Sequence, residues 1–272
     1  MNRKSTCNPI TNRIPTINPY LFAAKLVWQR FKWDLKNESR KSRNRLKVLQ
    51  DAYTGQKCVI LCNGPSLLKV DFDLLKKQNI YAIGLNKINL LFDKTDFRPD
   101  AIVAVNQHVI EQNRDFFNDT NIELFLDYQA SGKVSPASNI TFLHSTDQSK
   151  FARDCSVSVQ QGFTVTYVAM QLAFHMGFKT VALVGCDHSF ASKGPANKTV
   201  VSGTVDESHF DPNYFAGGVP WQLPDLAGSE YYYDLAGQTY NAFDRSIINA
   251  TEGGKLDIFP RSTLKAFLET PL

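Results

Sequence analysis

The sequence predicts an α/β protein on a Rossmann-like, doubly wound and mainly parallel sheet, and three observations predict it. From Gln56 onward, short apolar runs alternate with helical stretches. The first run, Lys57-Cys-Val-Ile-Leu-Cys62, opens directly into the tight turn Asn63-Gly64-Pro65-Ser66. Late in the chain, residues 187–225 interrupt the rhythm with Gly, Pro, Ser, His and aromatic residues, as a lid-like insertion would.

The elements follow in order. Residues 1–19 hold Pro9, Pro15 and Pro19 among Asn and Thr and predict an irregular arm. Tyr20 to about Gln50 reads as helix, with bases throughout and neither Pro nor Gly. Val59–Cys62 predicts the first strand and Asp71–Lys77 a helix. Ile80–Gly84 and Ala101–Val105 predict the next strands, and Val109–Phe117 a helix. Ile122–Leu126 and Ile140–Leu143 continue the sheet. A long helix, Thr164–Met176, is closed by Gly177 and followed by the strand Thr180–Val184. Beyond the insertion, a helix over Gly228–Phe243, a strand over Leu256–Phe259 and a short helix over Ser262–Leu268 finish the chain. The organisation is therefore a basic N-terminal arm and helix, 1–50, and a Rossmann-like catalytic domain, 51–272, with its lid at about 187–225.

Composition narrows the class. The 272 residues are 43% apolar and 21% charged, ordinary for a globular protein able to bury one large core. No apolar run approaches the roughly 18 residues of a membrane span, and no leader peptide is expected. Five cysteines without Cys-x-x-Cys spacing suit a reducing compartment, so the cytoplasm is the expected location. Charge is sharply partitioned: residues 1–50 carry twelve Lys/Arg against Asp34 and Glu38, while the remainder sums to −6. The bases alternate with Phe22, Leu26, Trp28, Phe31, Trp33 and Leu35. That mixture suits peripheral contact with an anionic membrane at its inner face, or else a solvated helix packed on the domain. No nucleic-acid module accompanies it, and none is expected as partner.

In open α/β sheets ligands bind beyond the carboxyl ends of the strands. Those ends supply Asn63, Gly64, Pro65 and Ser66, then Asn86, then Asn106, Gln107 and His108, then Gly185, Cys186, Asp187 and His188. The long helix begins with Gln161, Gly162, Thr164 and Thr166. Gly64 can take a positive φ, and the turn N–H groups with Ser66 and Asn63 make either a phosphate cradle or a plain turn. Neither Gly-x-Gly-x-x-Gly nor a Walker A loop is present. So many amides and hydroxyls suit a nucleotide better than a metal cluster. Asp71-x-Asp73 is either a metal–diphosphate motif or a helix cap; its place at a helix start favours the cap. No metal site is expected. Asp187-His188 reads as an acid-oriented base, or as a ribose ligand beside a packed histidine; His209 in the insertion is the second candidate base. Trp221 and Gln222 either cover a bound sugar or base or pin the loop. Glu252, beside Gly253-Gly254, could reach a ligand hydroxyl. His175 reads as a core or surface residue; His108 and His144 stay open.

The ordered set Cys62-Asn-Gly-Pro-Ser-Leu67, Asn86, Asn106, the Thr164 helix and Val184-Gly-Cys-Asp187 resembles the bacterial sialyltransferases of glycosyltransferase family 42. It resembles more closely the related domain of motility-associated flagellin glycosyltransferases and of surface-polysaccharide proteins. That wider group includes archaeal hydroxymethylpterin diphosphokinase-like proteins. The resemblance covers roughly residues 57–260; His209-Phe-Asp-Pro-Asn-Tyr-Phe215, Trp221-Gln-Leu-Pro224 and Ala250-Thr-Glu-Gly-Gly-Lys255 look typical of the polysaccharide-associated branch. It implies a CMP-activated acidic sugar donor held by Asn63, Ser66, Asn86, Asn106 and Thr164, and a surface-glycan or protein acceptor. It further implies metal-independent inverting transfer with a histidine base and no resident cofactor. Two departures stand out. The family's Thr-Ser-Gly helix start reads Thr164-Val165-Thr166, and its catalytic histidine has no direct equivalent, so His209 is the substitute. The diphosphokinase branch implies instead Mg²⁺ and ATP, but amides stand at Asn106-Gln107 where its carboxylates would grip the metal. A third reading is a nucleotide-binding module without activity.

Overall fold

A seven-stranded, wholly parallel sheet organises the chain in the computed structural model, which describes residues 18–190, 194–215 and 217–271. Two helices precede it, α1 (Pro19–Asp34) and α2 (Asn37–Leu49). Its first six strands in chain order are β1 (Lys57–Leu61), β2 (Tyr81–Leu85), β3 (Ala101–Ala104), β4 (Glu123–Asp127), β5 (Ile140–Leu143) and β6 (Thr180–Val184). Strands β7 (Thr199–Val201) and β8 (Pro220–Gln222) form a separate antiparallel ribbon, and β9 (Ser246–Asn249) completes the main sheet. The order is β5-β4-β3-β2-β1-β6-β9. The chain steps outward from β1 to one edge, then returns to lay β6 against β1 and moves to the other edge. The β1/β6 boundary is thus where the winding direction reverses, the place where such sheets bind ligands. The doubly wound parallel fold predicted from the sequence is the one observed.

The strands are predominantly apolar because both faces of the sheet are covered. Alternation then sorts each strand between two cores. Cys58, Ile60 and Cys62 of the first run face one layer, with helices α6 (Val165–His175) and α7 (Leu226–Ala242). Val59 and Leu61 face the other, with Trp33, Leu67, Leu75 and Phe117. Each such side chain, once buried, contributes about 1.5–3 kcal/mol. Helix α6 is buried from Thr166 to His175, as its nearly unbroken apolar sequence requires. His175 sits in that core with both ring nitrogens engaged. Nδ1 accepts from the Cys155 N–H (3.3 Å), which leaves Nε2 to donate to the Leu46 carbonyl (2.7 Å).

Smaller helices α3 (Phe72–Lys77), α4 (Gln107–Gln112), α5 (Arg114–Asp119) and α8 (Leu264–Glu269) link or close the layers. Asp71 caps α3, its Oδ1 accepting the Leu74 N–H at 2.8 Å, which realises the capping alternative for Asp71-x-Asp73. Four expectations change. The helix predicted over 20–50 breaks at Lys36, which is extended, because Asp34 draws the two halves together. Asp34 accepts from Arg30 (2.9 Å) on one half and from Arg43 (3.2 Å) on the other. The helix predicted over 109–117 splits at Asn113, whose amide is turned to Asn89 (2.8 Å). The last sheet strand is β9 rather than 256–259. Gly253 and Gly254, both at positive φ, reverse the chain there, so Leu256 and Phe259 enter the core from a loop. The 187–225 insertion carries the β7–β8 ribbon. Most of the predicted irregular arm, residues 1–17, lies outside the described residues.

His144, left open by sequence, is buried beside Tyr128 at 4.7 Å, and among the described residues neither ring nitrogen has a hydrogen-bond partner. Burial, reinforced by Arg30 and Lys150 and opposed by Asp34, pushes the imidazole down to about 4. It is neutral in both states above about pH 6.5. Between 6.5 and 4 the unfolded chain takes a proton that the native site refuses, so stability is lost as pH falls through that window. His144→Leu should remove about 2 kcal/mol of the loss between pH 7.5 and 5 in denaturant titrations. An equal fall in wild type and variant would contradict this.

Candidate functional site

The carboxyl ends of β1 and β6 are joined by one side chain. Asp187, three residues past β6, accepts through Oδ2 both the Ser66 N–H (3.1 Å) and the Ser66 hydroxyl (2.7 Å). Its backbone carbonyl accepts the Lys255 N–H at 2.8 Å, tying in the loop after β9. Gly64 lies under this carboxylate. A Cβ there would sit 2.0 Å from Asp187 Oδ2 and 2.7 Å from the Gly185 carbonyl. The backbone at Gly64 is extended, φ −72°, so the glycine serves close approach and not the positive φ anticipated from sequence. The phosphate-cradle expectation changes accordingly: both Ser66 donors are committed to an internal carboxylate. Pro65 is exposed, opening a turn of 3₁₀ helix. Neither Pro65 nor Ser66 lines the cleft beyond the strands.

That cleft holds about 1200 Å³, ample for a nucleotide-sized ligand and more. Asn63, Gly64, Asn86, Asn106, Thr164, Thr166, Asp187, His188, His209 and Trp221 all line it, so the structure brings together most of the residues picked from strand ends. Asn63 donates to the Leu85 carbonyl (2.9 Å) and to the Tyr214 hydroxyl oxygen (3.0 Å). Its own Oδ1 and that of Asn86 are buried without a partner among the described residues. A buried orphan acceptor costs about 1–3 kcal/mol, which a ligand bearing hydroxyl or amino donors would recover. Asn106 caps α4, accepting the His108 N–H (2.9 Å), and donates to Gln222 of β8 (3.3 Å). Thr164 caps α6, whose positive end opens on the cleft; the Tyr233 hydroxyl lies 3.4 Å from Thr164 Oγ1.

The two candidate bases, His188 and His209, each have an acid, but not the one expected for His188. Its Nε2 meets Glu230 of α7 at 2.9 Å, because Asp187 is held on Ser66. His209 Nδ1 meets Asp206 at 2.8 Å. Burial alone would raise the Asp206 carboxyl, but hydrogen bonds from His209 and from the Ser208 and His209 N–H groups hold it below the usual range. A carboxylate at Nδ1 fixes the proton there and leaves Nε2 basic. Among the described residues Nε2 has no hydrogen-bond partner. The ring stacks on Tyr214 (4.0 Å, 3°) and packs edgewise on Phe215 and Trp221. This part of the insertion is anchored by the Phe210 N–H on the Asn63 carbonyl (2.9 Å).

Besides Pro65 and Ser66, two more of the expected residues lie outside the cleft. Glu252 is exposed and paired with Lys69 at 3.0 Å. Gln107 turns from the cleft and donates to Asp127 (3.2 Å). Two contributors escaped the sequence reading. Asp127, fully buried at the end of β4, accepts from Gln107, Gln129, Ser145 and Gln161, and so orients Gln161 on the cleft wall. Burial pushes its carboxyl up to about 6. Lys87, one residue past Asn86, donates to the Tyr214 carbonyl (2.7 Å) and to Gln112 (2.6 Å) beneath the lid. Burial pushes its ammonium down to about 8, against the pull of Asp206. Both stand at strand ends, so the same positional rule, read one residue further, finds them. Among the described residues no three metal-ligating side chains cluster.

A family described as 6-hydroxymethylpterin diphosphokinase MptE-like matches residues 35–193, which include the β1–β6 ends but neither His209 nor Trp221. Among solved structures the chain is similar to the MAf glycosyltransferase from Magnetospirillum magneticum AMB-1. The TM-score is 0.51 at 15% identity over 85% of this chain, a likeness of fold. The chain spans only 38% of that one. No curated protein matches.

Gly64→Ala should cost at least about 1–3 kcal/mol through overpacking against the Asp187 carboxylate and the Gly185 carbonyl. Gly132→Ala, which meets open space, should change stability by less than about 0.5 kcal/mol. Equal thermal midpoints for the two variants would contradict the close approach.

Proposed function

The chain belongs to the 6-hydroxymethylpterin diphosphokinase MptE-like family, and from that premise we propose a sialyltransferase-like glycosyltransferase. It moves an acidic, nonulosonic-type sugar from a CMP-activated donor to a surface-glycan or protein acceptor, without metal and with inversion. The observation that carries this reading is the histidine–carboxylate pair His209–Asp206 on the wall of an amide-lined cleft at the sheet's reversal point.

In this reading the nucleoside lies against Asn63 and Asn86, whose unpartnered oxygens accept from ribose hydroxyls or the cytosine amino group. The phosphate sits at the α6 N-terminus with Thr164, Thr166 and Tyr233. His209 Nε2 takes the acceptor hydroxyl proton as that oxygen attacks the anomeric carbon. The bond from that carbon to the phosphate oxygen breaks, and CMP leaves with the electron pair, steadied by the helix end. Asp206 holds the imidazole tautomer and the imidazolium that forms. His188, paired with Glu230, is the alternative base. Trp221 and Phe215, stacked at 5.3 Å, wall the sugar side. Buried free thiols at Cys58, Cys62, Cys155 and Cys186 suit a cytoplasmic location. Among the described residues no helix is long and apolar enough to cross a membrane.

The family's description favours a second reading, Mg²⁺- and ATP-dependent diphosphate transfer. Against it, Asn106 spends its oxygen on capping α4, and Asp187 spends Oδ2 on Ser66. Mg²⁺ wants carboxylates, and among the described residues no three metal-ligating side chains cluster. Thermal-shift titrations separate the readings. CMP should stabilise the protein equally with Mg²⁺ and with EDTA, by about 2.7 kcal/mol at a hundredfold excess over Kd. UDP, ADP and ATP should do less. Stabilisation by ATP only with Mg²⁺ would overturn the transferase reading. With a hydrolysable CMP-sugar, His209→Ala should lower kcat by about 10²–10⁴ with little change in KM. A wild-type kcat would remove His209 as base.

A further inference from the structure

Helix α1 carries two apolar stripes where its packing needs one. At about 100° per residue, Phe22, Leu26 and Trp33 share a face with Gln29, and that face is turned to the protein. Trp33 is buried and Gln29 lines the cleft. The opposite face presents Tyr20, Leu21, Val27, Trp28, Phe31 and, at the C-cap, Leu35, all more than half exposed. Trp28 and Phe31 stack in the open at 5.9 Å, and the Lys32 ammonium lies 5.0 Å over the Trp28 ring. Soluble surfaces rarely leave an aromatic stripe of this length uncovered.

We infer that this outer face of α1 docks on an anionic lipid bilayer, with the helix lying in the plane of the interface. Charge selects that occupant. Residues 18–50 bear nine Lys/Arg against Asp34 and Glu38, a field that attracts acidic headgroups and repels a second copy of the same basic segment. The side-chain types fit as well: Trp, Tyr and Phe enter the headgroup boundary, while the Lys32 stem reaches from beside Trp28 to the lipid phosphates. A 16-residue helix is about 24 Å long, too short and too charged to span but suited to lie flat.

The inner side of the same helix borders the cleft. Lys25 pairs at 2.7 Å with Asp147, which lines it, and Arg30 donates to the Val157 carbonyl. Docking therefore brings one end of the cleft to the bilayer surface, where a lipid-linked acceptor is presented. That consequence rests on the transferase reading; the docking itself does not. The contact is also narrower than the basic segment as a whole. Helix α2 is spent on the sheet, with Leu46 in the core and the Ser42 hydroxyl accepting the Phe142 N–H at 2.9 Å.

Sedimentation of the full chain with sucrose-loaded vesicles tests this, the probes being phosphatidylcholine alone and phosphatidylcholine mixed with phosphatidylglycerol. The wild type should pellet with the mixed vesicles and roughly tenfold more weakly with the neutral ones. The double variant Trp28→Ser, Phe31→Ser should bind the mixed vesicles roughly tenfold more weakly at an unchanged thermal midpoint. Lys32→Glu, fully on the surface, should weaken binding in the same direction and cannot disturb the core. Sedimentation equilibrium should find wild type and variants equally monomeric. Wild-type failure to pellet, variants that bind like wild type, or wild-type self-association abolished by the double variant would each overturn the proposal. CMP stabilisation of the double variant, measured alongside, separates a failure of docking from a failure of the transferase reading.

Discussion

Everything at the working end of this sheet depends on the Asp187 carboxylate reaching across the β1/β6 boundary to Ser66. Where the winding direction reverses, the two loops diverge and leave a crevice. Left to itself such a crevice has unpaired N–H groups and two loops free to part. One oxygen takes the Ser66 N–H and the Ser66 hydroxyl together, and the contact is short because Gly64 brings no side chain between them. The loop after β9 hangs on the Asp187 carbonyl, and the 187–225 insertion hangs on the Asn63 carbonyl, three residues before Ser66. Three chain segments far apart in sequence are thereby fixed relative to one another before any ligand arrives. Pre-positioning of this kind lowers the ordering cost of binding.

The clamp also decides what the cleft can hold. With a carboxylate already seated in the first turn, an anionic ligand group is repelled from there and drawn to the other electropositive place, the α6 N-terminus. Between the two lie neutral acceptors, Asn63 and Asn86, which favour hydroxyl and amino groups over phosphate. The cleft therefore has a polarity along its floor. Above it the lid supplies an imidazole held by Asp206 and flattened on Tyr214, whose hydroxyl oxygen is in turn held by Asn63. Floor and lid share a hydrogen-bond network, so a ligand that satisfies Asn63 also bears on the placement of His209.

Much of this was legible in the sequence, for reasons that can be named. The apolar runs 57–62, 101–105 and 180–184 read as buried strands, and the rule that ligands lie past strand ends then picked Asn63, Asn86, Asn106, Asp187 and His188, while the helix start supplied Thr164. What failed was partner choice. Sequence puts Asp187 beside His188, but three dimensions put it beside Ser66, and Glu230, more than forty residues away, reaches the imidazole instead. Gln107 turns away because a strand-end position says nothing about which way a side chain points, and Glu252, picked for its place beside Gly253-Gly254, pairs instead with Lys69. The helix break at Lys36 was invisible for a different cause. No Gly or Pro marks it, and it follows from ion pairs that Asp34 makes with both helices. The late strand was misplaced because Leu256 and Phe259 are as apolar as any strand residue yet follow two glycines that turn the chain.

The most direct test of this account is a crystal structure of the protein with CMP, grown in EDTA. The account predicts the ribose or base against Asn63 and Asn86, the phosphate at the start of α6 beside Thr164 and Tyr233, and Asp187 still bonded to Ser66. A phosphate seated on Ser66 with Asp187 displaced, or a nucleotide that enters only when Mg²⁺ is supplied, would contradict it.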